Sequence, residues 1–226
     1  MALVVFMEGS GTIHTPTLEF EARLWATGYR RVAGLDEAGR GAWAGPVVAA
    51  AVVLSPDDPE LLQHLQGVRD SKQMTPARRE ALLEVVLEKA LACGVGAVAS
   101  GRIDALGIVP ATRQAMALAL QNLSLQADAL LVDYLVLPEV PLPQHSLAKG
   151  DVWVLSIAAA SIVAKVTRDR MMVALEDRFP GYGFARHKGY GTAQHQAALA
   201  RLGPSAVHRL SFGPVAAHER LAGGST

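Results

Sequence analysis

Val47 to Leu54 reads Val-Val-Ala-Ala-Ala-Val-Val-Leu, an unbroken apolar run between Gly45-Pro46 and Ser55-Pro56. A segment this short, rich in β-branched residues and bounded by turn formers, predicts a strand, and the lack of polar alternation leaves it no face for water. Such a strand needs cover on both faces. Helices elsewhere in the chain are the available cover, which predicts an α/β fold: a mixed β-sheet flanked by helices.

The rest of the chain supplies those helices. Thr17 to Gly28 has helical spacing, with Leu18, Leu24 and Trp25 on one side. Thr75-Pro76 predicts a capped helix over Ala77 to Ala92, stopped at Gly94, with a strand from Val95 to Ser100 after it. Thr112 to Leu123 repeats apolar residues at helical spacing, and Val152 to Leu175 predicts one long helix of small residues. His195 to Leu202 predicts another within a polar, glycine-rich tail. Arg31 to Leu35 predicts a strand leading into a turn over Asp36 to Gly41, and Ala129 to Val132 a strand that delivers Asp133. Residues 138 to 150 read as a proline-rich loop. The first 15 or so residues, with Gly9, Ser10 and Gly11, read as a flexible extension.

Half of the 226 residues are hydrophobic and only 5% are aromatic, so the core is aliphatic. Lys and Arg number 21 and Asp and Glu 21, so no global charge advertises a polyanionic partner. The lone Cys93 allows neither an internal disulfide nor a thiol metal site, which suits a reducing compartment and a cytoplasmic protein. No apolar run approaches the roughly 20 residues that span a bilayer, so a membrane role is not expected.

Asp36 and Glu37 end one apolar strand, Asp133 ends another, and Asp151 starts a helix. Ends of strands and helices open to solvent in sheets of this kind, and ligands bind there. Carboxylates gathered at such a place would repel one another until a hard cation accepted their oxygens. With no cysteine pair and no histidine pair at zinc spacing, an all-oxygen set points to magnesium or manganese. An Asp-Glu pair after a strand also serves as a turn or a helix cap, and pattern alone leaves both readings open. Gly39-Arg40-Gly41 allows close backbone approach beside an arginine free to meet phosphate; a tight turn with a surface arginine is the plainer alternative. Asp70-Ser71-Lys72 suits phosphate contact in the same way, and equally any solvated loop. Arg168, Arg170, Arg186, His187, Lys188, His208 and Arg209 surround Tyr182, Phe184 and Tyr190. Basic groups interleaved with rings suit nucleic-acid backbone contact and stacking, though a solvated helix face followed by an aromatic-anchored loop accounts for them too.

Taken in order, Gly34-Leu35-Asp36-Glu37-Ala38-Gly39-Arg40-Gly41, Ala44 to Leu54, Asp70-Ser71-Lys72, Leu131-Val132-Asp133, Lys149-Gly150-Asp151, Ser156 to Arg170, His187 to Thr192 and His208-Arg209 closely resemble bacterial ribonuclease HII over roughly residues 30 to 215. The resemblance implies a ribonuclease H-like fold with a helical C-terminal subdomain. It divides the chain into a flexible extension over 1–16, a catalytic domain over 17–175 and a substrate-gripping helical region over 176–226. It implies metal-dependent cleavage of the RNA strand of RNA/DNA hybrids and nicking 5′ of single ribonucleotides in duplex DNA. Asp36, Glu37, Asp133 and Asp151 would be the catalytic, metal-binding carboxylates for two Mn2+ or Mg2+ ions. Gly39, Arg40 and Gly41 would inspect the ribose 2′-hydroxyl, Tyr190 would pack against the neighbouring deoxyribose, and Ser71, Lys72, Arg168 and Lys188 would add substrate contacts. A monomer is expected, with room for a clamp-type partner. Rival readings are another nuclease or strand-transfer enzyme on this fold, or a binding module without catalysis. Two departures stand out: Tyr134 follows Asp133 where the family usually has glycine, and the usual asparagine is replaced near Gly107.

Overall fold

The computed structural model describes residues 3–5, 15–69, 71 and 74–223. Its centre is a six-stranded mixed sheet in the order β1-β6-β5-β2-β3-β4. The strands are β1 (Leu3–Val5), β2 (Val32–Ala38), β3 (Val47–Leu54), β4 (Ala90–Val98), β5 (Ala129–Asp133) and β6 (Gln144–Leu147). β2 and β3 pair antiparallel, as do β3 and β4, whereas β2, β5, β6 and β1 run parallel to one another.

Every residue of β3 is buried. Ala50, Val52 and Leu54 face α3 (Pro76–Lys89) and α7 (Leu155–Arg178), while Val47, Ala49, Ala51 and Val53 face α5 (Ile108–Gln121). The period-2 pleat thus splits one apolar run between two cores. Each fully buried valine or leucine contributes roughly 1.5–3 kcal/mol relative to exposure, so the run fixes where both helical layers must sit. α7 lies against β2 closely enough that a Cβ on Gly34 would stand 2.3 Å from the backbone carbon of Ser156. On the other face, Gly96 admits α5, whose Ala115 carbonyl would lie 2.1 Å from an added Cβ.

Several sequence expectations shift. The segment assigned to a flexible extension contributes β1, because its apolar Leu-Val-Val can pair with the open edge of β6. α3 is capped by Thr75, whose hydroxyl accepts from the Arg78 amide at 3.3 Å, with Pro76 in the first turn. It ends at Lys89 rather than near Gly94, which sits inside β4. Asp36, Glu37 and Ala38 belong to β2 rather than to a turn, since they keep pairing with Ala50, Ala49 and Val48. The proline-rich loop contains β6.

The long helix expected from Val152 is broken at Val154, which separates α6 (Gly150–Trp153) from α7. Here Thr17 bridges Val154, donating its amide to the Trp153 carbonyl and accepting from Leu155, both at 3.0 Å. Two residues into α1 (Glu19–Ala26), the buried Glu21 accepts the Ser156 amide at 2.8 Å. α7 is therefore capped from another helix, which satisfies first-turn amides its own Val154 cannot.

The C-terminal part packs α8 (Phe184–His187), α9 (Ala193–Leu202) and α10 (Gly213–Gly223) over α7. Ala44, Met172, Tyr182, Phe184, Ala198, Leu199 and Val215 form the joining core. None of the described helices is long and apolar enough to cross a membrane. Replacing Gly34 by valine should push α7 off β2; we expect a loss of about 1–3 kcal/mol in urea unfolding, together with loss of activity.

Candidate active site

Leu35 is level with Val132 in the parallel β2/β5 pair. One residue further, Asp36 and Asp133 stand side by side at the ends of neighbouring strands. Asp36 is buried, accepts the Glu37 amide at 2.7 Å and meets the Ser161 hydroxyl of α7. Asp133 accepts the Gly150 amide at 2.7 Å, which ties β5 to the turn that carries Asp151. Carboxylate oxygens of Asp36, Glu37 and Asp133 lie within 4.8 Å of one another. Asp151 is buried in the first turn of α6. Burial first, then the charges of Glu37, Asp133 and Asp151, hold the Asp36 carboxyl well above the usual carboxylate range.

Gly39, Arg40 and Gly41 form the lip of the same cleft. Its volume is about 540 Å3, and Ser71, Arg79, Lys165 and Tyr190 complete its walls. Arg40 approaches Glu37 at 3.2 Å and lies 5.9 Å from the Tyr134 ring centre. A Cβ on Gly41 would meet nothing within 4 Å, so the lip is open there. Gly39 has φ +93, and a Cβ would fall 1.9 Å from Arg168 Nε. Ser71 shares a 2.9 Å hydroxyl contact with Ser161. Lys72, and Asp70 beside it, lie outside the described residues. The Tyr190 ring takes Lys165 Nζ at 5.6 Å and the Arg168 guanidinium at 5.3 Å from its centre.

Arg168 does not face the cleft. It is fully buried, donating from Nε to the Pro46 carbonyl at 2.9 Å, from Nη1 to Lys188 at 2.9 Å and from Nη2 to Ala44 at 3.1 Å. A guanidinium presents five N–H groups in a fixed fork, and this one is spent on backbone carbonyls rather than on phosphate. Arg209 acts alike, donating to Gly45 from Nε and Nη2 and to Arg40 from Nη1. Lys188 turns its ammonium to the Ala185 carbonyl and lines a separate groove with Pro76, Asp169 and Arg170 rather than the cleft of Asp36 and Asp133. His187 and His208, read as basic groups for nucleic acid, are buried among aromatic rings.

Sequence reading passed over Lys165 and Arg79 as site residues. Lys165 holds Asp169 at 2.7 Å, and Arg79 donates to the Ser71 and Met74 carbonyls at 2.9 and 2.8 Å. Lys165 sits one turn beyond Ser161 on α7, a spacing that would have placed it on the Asp36 side. Of the two departures, only Tyr134 carries a backbone cost: with φ 58 it bears the strain of a position suited to glycine and leaves its ring exposed. Near the other, Gly107 has φ 82 and ψ 160, a conformation open essentially to glycine alone.

An all-oxygen donor set with clustered, partly desolvated carboxylates fits a hard divalent cation, whose charge would relieve the repulsion raising Asp36. A family model described as Ribonuclease HII matches residues 33–215. The chain belongs to the ribonuclease HII family. A ribonuclease HII from Roseiflexus castenholzii is 58% identical over 203 residues, 88% of this chain and 89% of that one. Among solved structures, the ribonuclease H2 of Pyrococcus horikoshii OT3 superposes with a TM-score of 0.73 at 26% identity, covering 86% of this chain and all of that one. The ribonuclease HII from Archaeoglobus fulgidus, solved as a complex with PCNA, gives 0.68 at 28% identity, over 83% of this chain and 96% of that one. Family membership makes the chain an endoribonuclease, a metal-dependent ribonuclease H, and makes the ribonuclease H-like fold its catalytic frame.

Burial pushes His195 and His208 down to about 4. An unfolded histidine titrates near 6.5, so between those values the unfolded chain binds more protons than the folded one. The stability these two neutral histidines contribute should be full above about pH 6.5, fall as pH drops towards 4, and level off below. Urea midpoints across pH 4–7 in His195→Phe and the unaltered enzyme check this: the variant should show the weaker pH dependence.

Proposed function

We propose that this chain cuts the RNA strand of RNA/DNA hybrids and nicks duplex DNA 5′ of single embedded ribonucleotides, leaving 5′-phosphate and 3′-hydroxyl ends. The observation that carries this reading is the convergence of Asp36, Glu37 and Asp133 in one cleft with Arg40 and Tyr190. Asp36, Glu37, Asp133 and Asp151 would hold a pair of magnesium or manganese ions. Bound there, the cations supply Lewis-acid stabilisation of charge developing at the phosphodiester. The carboxylates fix where that stabilisation acts. Buried Ser161 keeps Asp36 oriented through its hydroxyl, and the Gly150 amide does the same for Asp133.

Gly39, Arg40 and Gly41 read the sugar. Backbone groups at the open Gly41 lip reach a 2′-hydroxyl, the group by which RNA differs from DNA at a fixed position. Tyr190, lining the same cleft, packs against the adjoining deoxyribose, and Ser71, Lys72 and Lys165 steady the backbone. Arg168 and Lys188 contribute indirectly: Arg168 braces the turn behind Gly39, and Lys188 offers it a carbonyl. Partly buried Cys93, with its thiol pushed up to about 11 by burial, suits work as a free thiol in the cytoplasm.

The test is an end-labelled DNA duplex with one ribonucleotide, beside an all-DNA control. With magnesium or manganese we expect a single nick 5′ of the ribonucleotide, no nick in chelator, and an intact control. Asp36→Asn should lower the rate by more than about a hundredfold, since even outer-shell changes at metal sites cost 10–100-fold. Cutting of both duplexes alike, or cutting in chelator, would overturn the reading.

A further inference from the structure

Three histidines, His187, His195 and His208, lie buried between the tail helices and the Tyr190 loop. Their surroundings fix where each proton sits. The Ser205 amide donates to His208 Nδ1 at 2.9 Å, and the Ser205 hydroxyl is 2.8 Å from the same nitrogen. His208 therefore carries its hydrogen on Nε2. That atom is 3.0 Å from His195 Nε2, which must accept. His195 in turn carries its hydrogen on Nδ1 and donates it to the Tyr190 carbonyl at 3.0 Å. His187 accepts the Gly189 amide at Nδ1 and donates from Nε2 to the Tyr182 carbonyl, stacking on His195 with ring centres 4.4 Å apart.

Every hydrogen bond in this chain runs one way, from Ser205 to Tyr190, and it closes only with the rings neutral. The groups facing the relay are the other two imidazoles and the rings of Trp43, Tyr182 and Phe184. No carboxylate among the described residues forms an ion pair with any of the three, and burial holds His195 and His208 below the ordinary histidine value. The end of the chain is the backbone of the residue whose ring walls the carboxylate cleft. Gly189, beside it, accepts from the Trp43 amide at 2.8 Å, so the same loop is joined to the turn carrying Arg40.

We infer that His195 and His208 form a one-way neutral relay that positions Tyr190, and through it sets how tightly the cleft holds its substrate. Both are positioning residues, and the kinetic half of the inference rests on the proposed contact between Tyr190 and the substrate sugar. Loss of the relay frees the Tyr190 carbonyl to turn, carrying the ring out of the cleft while the carboxylates stay where β2 and β5 hold them. Binding should suffer and chemistry should not.

Long-range 15N NMR of the intact enzyme at pH 7 reads the tautomers directly. We expect His195 protonated at Nδ1 and His208 at Nε2; the reverse tautomer at either ring, or a charged His195, overturns the relay. In steady-state cleavage, His195→Leu should raise KM by about tenfold, a loss of about 1.4 kcal/mol of uniform binding, with kcat changed less than about twofold. Combined with Tyr190→Ala, it should add almost nothing, because both changes remove one effect. A general structural role would instead add the same penalty in either background, which would overturn the inference. Tyr190→Ala with unchanged KM would overturn the substrate role of Tyr190 and the kinetic half with it, whereas the reversed tautomers would overturn the relay and leave that role standing.

Discussion

Repulsion among carboxylates at the joint ends of β2 and β5 is the constraint that the rest of the structure has to contain. Parallel pairing in register puts Asp36 beside Asp133, and the strand continues one residue to Glu37. Left to themselves, such groups would turn apart or protonate. The backbone denies them the first option. β2 is clamped between β3 and β5, and α7 is seated on it at Gly34, where a single added methyl would strike the helix backbone. The site is thus held by the strongest part of the fold, and the electrostatic cost appears as the raised Asp36 carboxyl rather than as movement.

The lip of the cleft is held by different means. Residues 39 to 46 have little regular structure, and their carbonyls would be unsatisfied in the interior. Arg168 from α7 and Arg209 from the tail insert between them, so Arg40, Ala44, Gly45 and Pro46 all gain charged donors. Hydrogen bonds to charged groups contribute about 1.5–3 kcal/mol each, more than the neutral turn bonds they replace. Arg168 also reaches Lys188 and lies against the Tyr190 ring. One side chain therefore couples the helix that orients Asp36, the turn that carries Arg40 and the loop that carries Tyr190.

Most of the sheet was legible because its strands are apolar and their neighbours are turn formers: Val47 to Leu54 matched the observed strand at both ends, and Thr75-Pro76 marked the start of α3. β6 was not legible, since Gln144, His145 and Ser146 read as loop and become a strand only by pairing with β5. The break between α6 and α7 was hidden for a similar reason. No glycine or proline marks Val154; a backbone bridge from Thr17, remote in sequence, creates it. The carboxylates could be singled out by their place at the ends of elements, but only the β2/β5 register shows that three of them meet. Arg168 could not be told from a surface arginine, because its partners are backbone carbonyls, which every sequence has.

The burial of Arg168, Arg209 and the histidines changes how a chain of zero net charge meets a polyanion. A tail that reads as a basic patch turns much of that charge inward, where it organises backbone and is screened from phosphate. Among the described residues, what faces the cleft is a smaller set, Arg40, Arg79 and Lys165, and each is already engaged: Arg40 by Glu37, Arg79 and Lys165 by Asp169. Phosphate would compete with these acids rather than meet idle cations. The proposed discrimination therefore rests less on attraction for the backbone than on shape at the lip, where Gly41 leaves room and Tyr190 lines the same cleft. That division suits the proposed substrates, which share one phosphate chain with ordinary DNA and differ from it by a hydroxyl.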